Sequence, residues 1–274
     1  MDLEQFVLAH EPAVRLACFL GVLAAVGVWE LVAPRRAPTT PKRLRWASNL
    51  GLVALNTLVL RLAFPLAAAG VAAFCAAHGW GLLNHFQVPF WLALPVGVIA
   101  LDFVIWLQHV TVHAVPLLWR LHRVHHADLD IDVTTGARFH PLEIGLSMLI
   151  KVAAIAVLGP PVLAVVIFEV LLNATAMFNH GNVRMPAGLD RVLRRFVVTP
   201  DMHRVHHSVE GDEMNANFGF SLPWWDRLFG TYRAQPRAGH EAMVIGLRGH
   251  RDPREVARLP GMLMLPFRAG RGAR

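Results

Sequence analysis

Eight of the 15 histidines in this chain fall in three tight boxes: His109 and His113; His122, His125 and His126; and His203, His206 and His207. On a helix, side chains three or four positions apart share a face, so each box offers two or three imidazoles to one point. The second and third boxes nearly repeat, Leu121-His122-Arg123-Val124-His125-His126 against Met202-His203-Arg204-Val205-His206-His207. Imidazole suits Fe, Zn, Cu or Ni and not Mg or Ca. Eight imidazoles exceed what one tetrahedral ion accepts, so a two-metal site is the natural reading. A lone histidine is ordinarily a surface or hydrogen-bonded core residue, but three ligand-spaced boxes make that reading poor. A pH sensor built on histidine needs no such spacing. The H-E-x-x-H signature of zinc proteases is absent, and no glutamate sits inside any box.

The order H-x3-H, H-x2-HH and a distant H-x2-HH resembles the sterol desaturase and fatty acid hydroxylase superfamily, over about half the chain, from Asp102 to Tyr232. Further words carry the resemblance: Phe139-His140-Pro141-Leu142-Glu143, Asn179-His180-Gly181-Asn182-Val183, Thr199-Pro200-Asp201-Met202-His203, and Trp225-Asp226-Arg227-Leu228-Phe229-Gly230-Thr231-Tyr232. They are also similar to the alkylglycerol monooxygenase branch. The resemblance implies a di-iron centre at the cytoplasmic face of a helical membrane domain. Its ligands would be the eight boxed histidines, with His180 as a ninth. Around His180 the chain departs from the family's H-x3-H, because Arg184 stands where a histidine is expected. One coordination position therefore falls to Asn179 or a water. His140 is expected either to ligate or to orient a ligand.

Helical spacing supplies candidates for orienting the ligands. Asp102, Trp106, His109 and His113 share a face, so Asp102 is expected to accept a hydrogen bond from the His109 ring, as metal-bound histidines require. Glu143 and Asp201 are similar candidates. Trp224 and Trp225 read as interfacial anchors. His10, His78, His85, His240 and His250 match no box and read as incidental.

C–H bonds of a lipid are too inert for acid–base chemistry by side chains and call for a metal and O2. The expected function is a membrane-bound di-iron oxygenase that uses O2 and two electrons to hydroxylate or desaturate a sterol, fatty acyl or ether lipid. The alternative is a non-oxidative membrane zinc metalloprotein, either hydrolytic or structural; zinc supports no redox chemistry. The chain lacks the residues for a haem module or a four-cysteine cluster. A separate electron donor (a ferredoxin, cytochrome or reductase) is therefore expected.

The elements that position these residues read as membrane helices. Apolar residues make up 55% of the chain and charged residues 16%, against roughly 25% charged in soluble domains. The net charge of +7 raises nucleic acid as a partner, but the basic residues flank apolar runs, as juxtamembrane Lys and Arg do, so no nucleic acid is expected. Cys18 and Cys75 lie in apolar runs and read as buried small hydrophobes. The first residues hold no basic n-region, so the first run reads as a retained anchor.

Spans are expected from about Ala13 to Ala33, from Leu50 to Ala77 with a break near Pro65, and from Pro89 to His113. The run from Leu142 to Met177, interrupted by Gly159, Pro160 and Pro161, reads as a hairpin of two helices. Arg35, Arg36, Lys42, Arg43 and Arg45 after the first span, and Arg184, Arg191, Arg194, Arg195 and Arg204 after the hairpin, place those segments in the cytoplasm. Lys151 suggests that its arm of the hairpin is tilted, shallow or partly buried in protein.

The expectation is an all-α integral membrane bundle of about four to five helices with a cytoplasmic histidine-rich cap, in a bacterial inner membrane. It divides into N-terminal membrane helices (1–88), a fatty acid hydroxylase-like di-metal catalytic domain (89–232) and a basic tail (233–274). That tail would lie on the anionic leaflet or be loosely ordered.

Overall fold

A computed structural model describes residues 3–64 and 66–268 of the chain. Among the described residues every regular element is helical, and only isolated bridges such as Pro34 with Val183 stand in for a sheet. The first part comprises α1 (Leu3–Ala9), α2 (Glu11–Val32), α3 (Lys42–Ala63), α4 (Ala67–His78), α5 (Leu82–His85) and α6 (Phe90–Ala114). Then come α7 (Pro116–His126), α8 (Pro141–Leu158) and α9 (Val162–Asn179). Among the described residues, five stretches are long and apolar enough to cross a membrane: Glu11–Val32, Lys42–His85, Phe90–Ala114, Pro141–Leu158 and Val162–Asn179. Their outer faces expose Leu20, Leu31, Leu62, Trp91 and Leu149. So much contiguous apolar surface is costly in water and ordinary in a bilayer.

The second stretch starts earlier than the sequence suggests, at Lys42, so Lys42, Arg43 and Arg45 are helical. Pro65 itself lies outside the described residues. α3 stops at Ala63 and α4 resumes at Ala67, so an interruption does fall in that region.

Inside the bundle α9 packs against α2, α4 and α6, and α8 packs against α3, α4 and α6. Leu101, Ile105, Ile155, Val165 and Phe168 form the core between them. The α8–α9 turn is the hairpin expected from Gly159-Pro160-Pro161. Gly159 has φ 63°, and a Cβ there would stand 2.4 Å from the Trp80 carbonyl oxygen. Only glycine satisfies both demands. The same contact ties the hairpin tip to the Trp80–Gly81 turn, so both turns lie at one end of the bundle.

The histidine boxes lie at the other end, under a cap of short helices: α10 (Ala187–Leu193), α11 (Pro200–His206), α12 (Gly211–Met214), α13 (Trp224–Leu228), α14 (Gly239–Ala242), α15 (Pro253–Val256) and α16 (Leu259–Met264). The basic segment after Arg233 is folded through Arg268. Met262 and Leu265 pack with Leu52, Val124 and Ala127. Arg123 donates to the carbonyls of Leu265 and Arg268, and Arg138 donates to those of Val124 and Val256. Apolar residues spaced among the arginines anchor this segment, which its composition alone does not reveal.

Arg45 is a second departure. It is no surface cation but is 1% exposed. Its Nε and Nη2 donate to Asp128 at 2.7 and 2.8 Å, and its Nη1 donates to Asp132 at 2.6 Å. Asp130 accepts from the backbone N–H groups of Thr39 and Thr40. Burial alone would raise the pKa of the Asp128 carboxyl, but the Arg45 and Arg138 guanidiniums hold it well below the usual carboxylate range. These ties fasten the loop after the second box to α3.

Candidate metal centre

The nine histidines expected as ligands converge in two groups. His109, His113, His122, His126 and His206 form a group of five, and His125, His180, His203 and His207 form a group of four. Within each group the facing ring nitrogens all lie within 4.8 Å of one another. The boxes do not each serve one point. Every pair four residues apart stays together (109 with 113, 122 with 126, 203 with 207), while His125 and His206 cross to the other group. Successive helical residues diverge by about 100°, so His125 and His126 cannot aim at the same place.

His180, at the end of α9, is the hub of the four-membered group. Its Nε2 lies 3.1 Å from the Nε2 of His125, of His203 and of His207. In the other group the His109 Nε2 lies 3.1 Å from that of His122 and 3.0 Å from that of His206, and His113 and His126 are 3.1 Å apart.

The outer nitrogens show how the rings are held. The Nδ1 of His109 donates to the Phe218 carbonyl at 2.6 Å, that of His180 to Ala176 at 2.6 Å and that of His206 to Ala216 at 2.8 Å. The Nδ1 of His122 donates to Glu143 Oε1 at 2.5 Å. A neutral imidazole has one N–H, so each of these contacts leaves a bare lone pair on Nε2. Burial pulls His122, His125, His126, His203, His206 and His207 well below the ordinary histidine range, and His180 to about 3. The rings are therefore neutral, which is the form that binds metal. Lone pairs facing one another across a dry pocket repel unless a cation lies among them. Two imidazole nitrogens bound at right angles to one ion, each about 2.1 Å from it, stand about 3 Å apart. The donor set fits metal ions on both counts, and both groups could bind one.

The other candidates divide. Glu143 sits on His122, as a ligand-orienting carboxylate should. Asp102 does not reach His109 and instead accepts from Trp225 Nε1 at 2.8 Å. Seven residues of helix put Asp102 about 10 Å below His109, too far for that contact. Trp225 is thereby bound inside the fold, while Trp224 remains 43% exposed. Asp201 pairs with Arg204 and with Arg35. Asn179 donates its Nδ2 to the Phe220 carbonyl at 2.8 Å, and its buried Oδ1 has no partner. Arg184 lies at the surface near Glu241. His140 belongs to neither group: its Nδ1 caps α8 by accepting from Leu142 N, and its Nε2 donates to the Leu263 carbonyl.

The sequence reading gave no role to Asp226. It is fully buried and accepts from Trp106 Nε1 at 3.1 Å, Phe218 N at 2.9 Å and Gly219 N at 2.8 Å. It therefore shapes the turn whose Phe218 carbonyl orients His109. The signal available was an acid set between aromatic residues. For Asp128, Asp130 and Asp132 it was acids at alternate positions in a charge-poor chain.

A cavity of about 240 Å³ runs from His109 and His122 into the bundle, past Ile105, Met148 and Phe220. It gives a chain-like molecule a path to the five-membered group.

Residues 94–231, half of the chain, match the fatty acid hydroxylase family. An ornithine lipid hydroxylase of Rhizobium tropici is 30% identical over 190 residues, 68% of this chain and 54% of that protein. The alkylglycerol monooxygenase of Homo sapiens is 26% identical over 178 residues, 61% of this chain and 36% of that protein. A Delta(7)-sterol 5(6)-desaturase of Aspergillus fumigatus is 25% identical over 212 residues, 76% of this chain and 60% of that protein. The chain thus spans about half the length, or less, of the first two relatives. No solved structure matches it.

Proposed function

Because the chain belongs to the fatty acid hydroxylase family, we propose that it is an integral-membrane oxygenase that hydroxylates or desaturates a lipid at a di-iron centre. One observation carries the reading: nine imidazoles gather in two groups, and one group faces a cavity that descends among membrane helices. The names of the relatives, two lipid-modifying hydroxylases or monooxygenases and a sterol desaturase, support the same class of chemistry.

The group of five and the group of four would each hold one iron. Bound iron supplies the redox chemistry and O2 activation that C–H oxidation requires. The protein's own residues do the rest. Glu143 keeps the proton of His122 on Nδ1, and the Phe218, Ala176 and Ala216 carbonyls do the same for His109, His180 and His206. Phe139 and Phe220 wall the cavity beside the rings, excluding water and confining a chain against them. Two electrons come from a separate donor at the cap, and the cap faces the cytoplasm of a bacterial inner membrane.

The test is lipid profiling of cells with and without the gene, supplied with iron and isotopically labelled O2. A lipid that gains the label or a double bond only in expressing cells, and not with His126→Ala or His207→Ala protein that still inserts, supports the reading. An unchanged profile across sterols, acyl lipids and ether lipids, with iron shown to be bound, would count against it. A zinc hydrolase on the same ligands would incorporate no label from O2.

A further inference from the structure

Not all of the exposed apolar surface belongs to the membrane helices. In the cap, Leu189 and Val192 share one face of α10 and Phe196 follows in the next turn, while Trp224, Leu228 and Phe229 lie on α13 or at its end. All six are exposed, Leu228 by 71% and Phe196 by 62%. The two segments are fastened together. Trp224 Nε1 donates to the Arg195 carbonyl at 2.9 Å, and Arg227 Nη2 donates to that of Arg194 at 3.0 Å. Exposed apolar side chains gathered in this way mark an interface.

The depth of α13 decides what covers the patch. Leu92, Val96, Ile99, Phe103 and Leu107 form one stripe of α6 at steps of three or four residues, and all but Phe103 are fully exposed. Phe103 is partly covered by α13: its ring centroid lies 6.0 Å from that of Phe229 and 4.9 Å from that of Trp225. Phe229 also stacks on Trp106, with centroids 4.7 Å apart. The patch therefore continues the lipid-facing side of a membrane span. Exposed Trp80, Phe86 and Trp91 mark the opposite membrane interface, at the start of α6. From Phe90 it is about 20 Å along the helix to Phe103 and about 24 Å to Trp106. Both lie inside a hydrocarbon layer about 30 Å thick, and a tilt of α6 only sets them deeper. A water-soluble partner does not reach that level.

The charges around the patch point to the kind of lipid. Residues 187–198 and 221–229 hold two acids, and both are buried: Asp190 accepts from Thr199 Oγ1 and pairs with Arg194, and Asp226 is wholly enclosed. Arg191, Arg195 and Arg227 are exposed and make no ion pair among the described residues. Every exposed charge of the two segments is therefore positive. Long arginine side chains on an apolar face reach up to anionic headgroups.

We propose that α10 and α13 form a foot set into the cytoplasmic leaflet, with its apolar side chains among acyl chains and Arg191, Arg195 and Arg227 on anionic phospholipid headgroups. The partner of this surface is a lipid layer, not an electron donor or a second copy of the chain. The proposal rests on the membrane reading of the helices and is independent of the chemistry at the histidines. It ties the seating of the cap to the anionic lipid content of the leaflet.

Nitroxide labels on single cysteines test this in the purified full chain, with Cys18 and Cys75 replaced, in vesicles of phosphatidylcholine and phosphatidylglycerol. Labels at Phe196→Cys and Leu228→Cys should collide with O2, which concentrates in hydrocarbon, and be shielded from a water-soluble nickel chelate. Exposed Leu149 of α8, as Leu149→Cys, is the lipid reference, and exposed Arg248, as Arg248→Cys, the aqueous one. Nickel access at Phe196 and Leu228 equal to that at Arg248 overturns the foot and leaves the patch to a soluble partner. Shielding from both probes overturns it too, and spin broadening between chains would then identify a second copy. Nickel access at Leu149 as well would remove the membrane reading itself. For the headgroups, a fluorophore at Phe196→Cys should be quenched about fivefold more by nitroxide-bearing phosphatidylglycerol than by the phosphatidylcholine equivalent. Arg191→Gln with Arg195→Gln should bring the two toward equality with unchanged metal content. Equal quenching in the unaltered rim, or a preference that survives the double substitution, overturns the assignment of anionic lipid to these arginines.

Discussion

The carboxylate of Glu143 stands 2.5 Å from His122 Nδ1, while three residues away on the same helix His140 is bonded only to backbone. Both were candidates on sequence grounds, and their surroundings now separate them. Glu143→Gln removes the carboxyl that accepts from His122 Nδ1. It should weaken metal binding about 10- to 100-fold with the fold intact, read by competition with a chelator. His140→Ala removes a helix cap and should cost about 1 kcal/mol of stability while leaving metal affinity unchanged. The hub position of His180 gives a sharper contrast. Because its Nε2 lies against three other rings, His180→Ala should empty the group of four and spare the group of five. Metal analysis should then fall from about two ions per chain to about one. Loss of both ions together would mean that the groups do not load independently. The boxed histidines that converge were legible in the sequence because i and i+4 spacing is a local property. Asp102 misled because it shares a helical face with His109, and a shared face does not give reach.

At the scale of elements, the loop that follows the second box is fixed by charges the sequence scattered over some ninety positions. Arg45 belongs by composition to a basic juxtamembrane run, yet it is buried against Asp128 and Asp132, while Arg43 two positions away is exposed. Hydropathy finds the spans because each is a continuous apolar stretch. It cannot pair a buried arginine with its acids, since that match exists only after α3 and the loop are side by side. Arg45→Met should therefore remove the nearest cation from two buried carboxylates and cost about 3–5 kcal/mol. Arg43→Met should change stability by less than about 0.5 kcal/mol. Thermal unfolding in detergent reads both. An Arg45→Met protein as stable as the unaltered chain would mean that the loop is held by packing alone. The Gly159 turn and the break between α3 and α4, by contrast, were legible from glycine and proline, whose constraints act on the backbone locally.

For the whole molecule, the ends of the bundle decide which compartment supplies electrons and which side the boxes face. The hairpin tip at Gly159 touches the Trp80–Gly81 turn, so these two turns share a membrane face. The histidine groups, the basic run after α2 and the folded segment through Arg268 gather at the opposite end. That end also carries the exposed arginines Arg184, Arg237 and Arg248, and an excess of Lys and Arg marks the cytoplasmic side. A cysteine introduced at exposed His85 should therefore react with a membrane-impermeant maleimide in intact cells. One introduced at Arg237 should react only after the cells are opened. Each is read in a background whose native Cys18 and Cys75 are replaced, because α2 and α4 would otherwise contribute thiols of their own. Labelling of the Arg237→Cys protein in intact cells would turn the cap outward. An outward cap would deprive the centre of any cytoplasmic electron donor and set the charge bias of the loops against the orientation of the fold.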